Sequence, residues 1–397
     1  MKLNFGFLGR ERRIIDRPID RLLGKDGTFR ALPTQASVEC KPFPIFGRAG
    51  FSLNMRRPLP ARSVSTIKNA IVHGQSAALF TLKRLNKAVH WAALPELSLD
   101  LYAANYSPFF EKVVGGWRFS PAPDLSPSRS IGRGVLIGSR FSFNYFHFAT
   151  DSLIRALIAD SALGVSDWPV VITETVPQIS QLIRMLFPGR EIMSLASDEL
   201  VQFEELIVPI SSSFSPDDPL ETPKSVLDAP YLKELRLRLA DSNGKNASER
   251  SRILYIKRPH YVSPEGVLAR TIFNQDEVIE FVQQMGATVI SPENLNVETQ
   301  RQLFGNADIV IGMAGSALAN TIFCRPGASV ILICQDEIVS PEYFGLMFGE
   351  LGLTYAVVAC PAIANSNPHP AHRSVTVDIA ALRQALEFVV SKQHVVT

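Results

Sequence analysis

Cysteine is scarce: Cys40, Cys324, Cys334 and Cys360 are the whole complement, and no pair has Cys-x-x-Cys spacing. Four such residues make neither a disulfide scaffold nor a zinc ribbon, so the chain is expected in a reducing compartment. Long apolar runs are missing too, and no stretch approaches the roughly 20 residues needed to span a bilayer. The opening MKLNFGFLGRERR lacks the extended apolar core and cleavage site of a secretory leader, which makes a cytoplasmic location the expectation. Several motifs are absent. There is no His-Glu-x-x-His, no Gly-x-Gly-x-x-Gly, no P-loop and no Asp-x-Asp, so zinc hydrolysis, nicotinamide chemistry and ATP chemistry have no specific support. A phosphate-bearing ligand would then be neutralised by cations and helix dipoles, with neither a metal nor a bound cofactor expected.

The length of 397 residues exceeds one average domain. A hydrophobic fraction of 46% with 20% charged residues is ordinary for a globular chain and excludes disorder, collagen-like repetition and coiled coil. The net charge of +2 conceals an asymmetry. Residues 1–130 hold 20 Lys and Arg against 9 Asp and Glu, whereas residues 131–397 hold 20 against 29. A basic first third is suited to an anionic partner, for which nucleic acid, a membrane surface and a phosphorylated acceptor are the candidates. Nucleic acid ranks last, because no recognition helix or aromatic platform accompanies the charge.

Residues 1–130 read as strands and loops with one amphipathic stretch, Glu11 to Lys25, interrupted by Pro18. There Arg12, Arg13, Arg17 and Arg21 alternate with Ile14, Ile15, Leu22 and Leu23, a pattern suited to resting on an anionic leaflet. From Gly134 onward short apolar runs alternate with helical patterns. Strands are expected at 134–138, 170–173, 192–195 and 206–210, with helices near 144–163 and 178–187. A Ser- and Pro-rich segment at 211–225 and a segment at 241–251 with no apolar residue except Ala247 mark a boundary around one helix, 231–240. Beyond it, strands at 253–256, 287–290, 309–311 and 330–333 are separated by helices that Asn274 and Asn296 would cap, with Glu277 completing a capping box. This alternation predicts an α/β fold with parallel sheets. The expected division is a basic region at 1–130, partly belonging to an acceptor-side domain, then Rossmann-like domains at 131–240 and 250–370. A C-terminal helix at 371–397 is expected to pack back on the first of these.

Three segments could carry chemistry. In IVIGMAGSALAN, residues 309–320, Gly312, Gly315 and Ser316 make a strand-to-helix turn whose N–H groups suit phosphate, and Asn320 could bond a nucleotide. In YIKRP, Lys257 and Arg258 emerge at the carboxyl end of a strand, where open parallel sheets bind ligands; Arg270 follows twelve residues after Arg258. In NYFHFATD, His147 and Asp151 stand four apart on one helix face, as a carboxylate-supported base would. Each also has a structural reading: a tight turn, solvated cations, or a core or capping histidine.

Taken in order, NYFHFATDSLIRAL, YIKR, RTIFNQDEV and GATVISPENLNVETQRQLFGNADIVIGMAGSALANTIF resemble glycosyltransferase family 61 over about residues 134–333. The resemblance implies a GT-B fold, two Rossmann-like domains facing across a cleft, here with a β- and loop-rich N-terminal extension. It implies inverting, metal-independent transfer from a nucleotide sugar to a glycan or lipid-linked glycan acceptor, as in surface-polysaccharide or capsule synthesis. Asn144, His147, Arg258, Arg270, Asn274, Gly312, Gly315 and Asn320 match its motifs. Three positions depart from them: Ala314 in place of a histidine, Gln275 in place of a glutamate, and Leu332 in place of an acidic residue ending a strand. Asp336 or Glu337 could supply that acid. The departures also admit a non-catalytic glycan- or nucleotide-binding relative.

Overall fold

The computed structural model describes residues 27–47, 55–74, 126–139, 144–173, 176–213, 225–239, 253–259, 270–336, 341–364 and 373–393, and the backbone alone of strands Lys2–Phe7, Arg10–Ile15, Leu79–Leu82, Val89–Trp91, Phe110–Val113 and Gly116–Phe119. The chain divides into two compact units, Met1–Thr34 with Pro60–Ser212, and Gln35–Leu59 with Ser213–Thr397.

The first unit is built on a mixed sheet. Strands β1 (Arg62–His73), β2 (Arg129–Leu136), β3 (Val170–Thr173), β4 (Ile192–Leu195) and β5 (Leu200–Ile210) lie in the order β4-β3-β2-β5-β1. The first four run parallel, and β1 pairs antiparallel with β5. In chain order the parallel strands read 3-2-1-4, the arrangement of one half of a Rossmann sheet, so the order reverses between β2 and β5. Between β2 and β3 runs a helix in three parts: an α-turn, Tyr145–His147, a π segment, Phe148–Ser152, and helix α1, Leu153–Leu163. Every residue from Leu153 to Ala159 is buried, so α1 is covered on all sides. Helix α2 (Pro177–Leu186) separates β3 from β4. Its buried residues Ile179, Leu182, Ile183 and Leu186 recur at helical spacing, and Pro177 fits its first turn.

The second unit holds a wholly parallel sheet of β6 (Ile253–Ile256), β7 (Ala287–Ile290), β8 (Ile309–Met313), β9 (Ser329–Gln335) and β10 (Thr354–Cys360), ordered β7-β6-β8-β9-β10. That is a 2-1-3-4-5 doubly wound sheet, whose order reverses between β6 and β8. Strands β8 and β9 are buried along their whole length, as a central parallel strand should be. Helices α3 (Ala229–Leu239), α4 (Gln275–Gln284), α5 (Val297–Gly305) and α6 (Pro341–Glu350) belong to this unit. Asn296 caps α5 as expected, its Oδ1 accepting from Thr299 N at 2.8 Å.

Three expectations are corrected. Residues 35–59 belong to the second unit, because strand Ile45–Gly47 extends its sheet beside β10 and Arg57, 2% exposed, meets Glu342 at 3.5 Å and donates to the Ser225 carbonyl. The C-terminal helix α7 (Ile379–Gln393) packs on β9, β10 and Ile45–Gly47 of the second unit rather than on the first domain. Leu382, Leu386 and Val389 are buried there; at roughly 1.5–3 kcal/mol each they represent a large share of a domain's ~5–15 kcal/mol. Residues Arg10–Ile15 form a strand paired with Lys2–Phe7, so the amphipathic stretch from Glu11 does not begin as a helix. Residues 16–26, with Arg17, Arg21 and Lys25, lie outside the described residues.

Candidate functional site

In the second unit, the reversal of strand order between β6 and β8 leaves a crevice beyond their carboxyl ends, and the candidate anion-binding residues gather there. Strand β6 ends at Ile256 and delivers Arg258; β8 ends at Met313 and turns through Ala314 and Gly315 into a 3-10 helix, Ser316–Phe323. The Arg258 guanidinium lies against Gly315. A Cβ on Gly315 would stand 2.2 Å from Arg258 Nη1, so only a residue without a side chain allows that approach. Arg258 Nε donates to the Arg270 carbonyl at 3.0 Å, and Arg258 N donates to Gln275 Oε1 at 2.8 Å. The backbone and side chain of Arg258 are thus both fixed.

The electrostatics favour an anion. Burial pushes Arg270 down to about 9, with the Arg258 charge as the second cause. Burial likewise pulls Arg258 below its usual value, partly offset by Glu293. Guanidinium groups keep their protons near neutral pH, so these shifts register two desolvated like charges held close together. An anion arriving between them relieves that cost. The first turn of a helix also presents N–H groups lacking intrahelical partners, and Gly315 and Ser316 lie there, partly exposed.

The remaining donor-side candidates divide. Lys257 is half-buried at the end of β6, its N–H donating to Ile290 O at 2.8 Å. Gly312 serves packing, since a Cβ there would meet Ile256 Cδ1 at 3.0 Å and Leu318 Cδ2 at 3.3 Å. Asn274 is turned elsewhere: Val377 N donates to its Oδ1 at 2.9 Å, while its Nδ2 donates to Val377 O and to Glu277. It makes no side-chain cap bond, contrary to the capping-box expectation, and ties α4 to the segment before α7. Asn320 is wholly buried and donates to Gln300 Oε1 at 2.6 Å; Gln300 in turn donates to Pro292 O and Leu295 O. It stitches the 3-10 helix to α5. Asn320→Ala is therefore expected to lower stability by about 1–3 kcal/mol through the stranded Gln300 amide, with nucleotide affinity unchanged. Chemical denaturation and calorimetry on the same variant separate the two effects.

Two departures from the family motifs take on a structural meaning. Leu332 is buried in the middle of β9, which continues to Gln335, so the acidic residue at that strand's carboxyl end is Asp336. Asp336 is 6% exposed and its Oδ1 has no hydrogen-bond partner among the described residues. Glu337 lies outside the described residues. Gln275 is the group that holds the Arg258 backbone, a task a neutral amide performs without cancelling the guanidinium charge.

In the first unit the candidates again stand at the reversal of strand order. Asn144 caps the helix after β2, its Oδ1 accepting from Phe146 N at 3.0 Å and His147 N at 3.4 Å. His147 sits in that first turn, partly exposed, its ring edge-on to Phe146 at 5.9 Å. Asp151, expected to support His147, has two further partners. Asp151 accepts a forked pair of bonds from Arg155, 3.2 Å from Nε and 2.7 Å from Nη2, and a third bond from Ser211 Oγ at the end of β5. These bonds fall on the π segment, an irregularity common at functional sites. Arg155 was visible four residues after Asp151; Ser211 is joined to it only by the topology. Among the described residues no group of three or more His, Cys, Asp or Glu is placed to hold a metal ion.

Comparison with curated proteins gives no match. Residues 145–331 match the family model described as Glycosyltransferase 61, a stretch that begins two residues before His147, runs through both units and includes Arg258, Arg270 and the turn at Gly315. Residues 145–331 are therefore a glycosyltransferase family 61 domain.

Proposed function

We propose that this glycosyltransferase is a GT-B-type enzyme that transfers a sugar from a nucleotide-sugar donor to a glycan or lipid-linked glycan acceptor with inversion, and without a metal. The observation that carries the reading is the pair of desolvated guanidiniums, Arg258 and Arg270, gathered at the helix-opening turn of a doubly wound sheet. A donor diphosphate supplies the anion this arrangement favours, and two cations with a helix N-terminus neutralise it where other enzymes use a metal. In this reading the Asp336 carboxylate, which follows the neighbouring strand and has an unpartnered Oδ1 among the described residues, accepts from the donor's ribose hydroxyls. In the transfer, the acceptor hydroxyl oxygen forms its bond to the sugar C1 as His147 takes the hydroxyl proton. The C1–oxygen bond to the diphosphate breaks, and the nucleoside diphosphate leaves with the electron pair, held by Arg258 and Arg270. Asp151, occupied by Arg155 and Ser211, acts by fixing the helix on which His147 stands.

The place of work is proposed as the cytoplasmic face of a membrane, where lipid-linked acceptors are found. Its support is the basic balance of residues 1–130, and no helix among the described residues is long and apolar enough to cross a membrane. A second reading, a binding relative without turnover, is favoured by one observation: the Asp151 carboxylate expected to support His147 is engaged by Arg155 and Ser211. Release of UDP, GDP or CMP from a panel of UDP-, GDP- and CMP-sugars, with and without glycan acceptors, decides between them. Turnover that depends on acceptor supports the transferase. Binding without release from any donor supports the second reading, and no binding at all removes both.

A further inference from the structure

A hollow of about 640 Å³ opens in the first unit, away from the carboxyl-edge residues just described. Pro169 and Glu191, immediately before β3 and β4, place it at the amino-terminal edge of the parallel strands; His147, Asp151 and Ser211 follow the carboxyl edge. Lys68 of β1, Arg133 of β2 and Glu204 and Glu205 of β5 supply its other charges. Ile131, Pro169 and Met193 supply apolar surface.

The hollow coincides with an irregularity running across three strands. Pairing of β5 with β1 goes from Phe203↔Ala70 to Glu205↔Lys68, and pairing of β2 with β5 goes from Ile131↔Phe203 to Arg133↔Glu205. The row between, Gly132–Glu204–Asn69, is unpaired in both ladders. Asn69 has φ +53°, the left-handed value that a residue with a side chain seldom adopts. A regular sheet would carry both ladders through this row. Instead, side chains of both signs are turned out at one place, and irregularities of this kind accompany binding sites.

The geometry points to a glycan-binding site, remote from the transfer chemistry, that takes a neutral or amino-sugar oligosaccharide. Sugar hydroxyls both donate and accept. Here carboxylates accept while the Lys68 ammonium and the Arg133 guanidinium donate, and the apolar residues meet the C–H faces of the rings. Three carboxylates against two cations leave the lining net negative, which disfavours phosphates and uronic acids and favours amino groups. Arg133 is held only loosely by its neighbours, 4.0 Å from Glu205 and 5.1 Å over the Trp168 ring. The volume lies within the roughly 300–1,000 Å³ of ligand sites. The proposal draws on the proposed function only for the reason a glycan is nearby; the lining itself sets the chemistry.

Titration of the intact chain, without nucleotide, with chitotriose, its deacetylated trimer and trigalacturonic acid tests it. Both of the first two are expected to bind, the deacetylated trimer more tightly, and the acidic trimer at least tenfold more weakly. Gly132→Phe fills the hollow, since nothing lies within 4 Å of a Cβ at that exposed position. It is expected to weaken trimer binding at least tenfold with the thermal midpoint and nucleotide binding unchanged. Glu204→Gln, an exposed and milder change, is expected to weaken it at least threefold. Absence of trimer binding, equal binding of the acidic trimer, or trimer binding indifferent to both substitutions overturns the proposal. If trimers bind and no nucleotide does, the donor-site reading fails and this one stands.

Discussion

Gly315→Leu is expected to lower kcat/KM by at least 100-fold while leaving the fold intact. Even the first carbon of the new side chain would stand 2.2 Å from Arg258 Nη1 and 3.2 Å from Cζ, so the guanidinium must leave the turn. It also gives up its bond to the Arg270 carbonyl. The displaced atoms are the free end of a flexible side chain, and Gly315 has an extended φ of 171°, so the backbone accepts the substitution. A hundredfold is about 2.7 kcal/mol, the low end of what removing one stabilising donor from a developing oxyanion costs. Arg258→Lys is expected to fall between wild type and Gly315→Leu, because a point charge replaces part of the field and none of the fork. Steady-state rates with the thermal midpoint on the same preparations check both variants. A Gly315→Leu enzyme of normal rate would place the leaving group elsewhere.

The second large effect falls on the first unit. His147→Ala is expected to reduce kcat by about 10²–10⁴-fold, the range for a lost general base, with donor KM nearly unchanged if Arg258 and Arg270 hold the diphosphate as proposed. Asp151→Asn should behave differently. The carboxylate is held by Arg155 and Ser211, so neutralising it removes the negative charge that faces the buried Arg155. Breaking such a pair costs about 3–5 kcal/mol, so lost stability accompanies any lost rate. A pH–rate profile separates the roles. The limb belonging to the base vanishes in His147→Ala and persists in Asp151→Asn.

Much of the fold was legible in the sequence, and the reasons for the remainder are local. Strands 170–173, 192–195, 253–256 and 287–290 appear where their short apolar runs indicate, because a run of about four such residues between polar or turn segments is too short for a helix. Helix α6 left no signal: every residue from Pro341 to Phe348 is buried, so no apolar face alternates with a polar one. Strand β1 was hidden by Lys68 and Asn69, which interrupt its alternation where the sheet itself is irregular. The meeting of Arg258 with the turn at Gly315 was readable because strand ends and glycine turns face one crevice in parallel sheets. Asn274 and Asn320 misled, since a polar side chain near a ligand turn can equally face inward. Their partners, Val377 and Gln300, lie 103 and 20 residues away, a distance no local pattern reports. Asp336 was expected in the loop after a strand ending at Ile333; β9 runs two residues further, so Asp336 follows its end directly.

The central claim is that the turn at Gly315, with Arg258 and Arg270, holds a nucleoside diphosphate. Calorimetric titration of the intact chain with UDP, GDP and CDP, in the presence of a chelator and repeated on Arg258→Ala, tests it most directly. The account predicts saturable one-to-one binding of at least one nucleotide without metal, weakened at least tenfold by the substitution. Absence of binding by all three, or equal binding by Arg258→Ala, would contradict it.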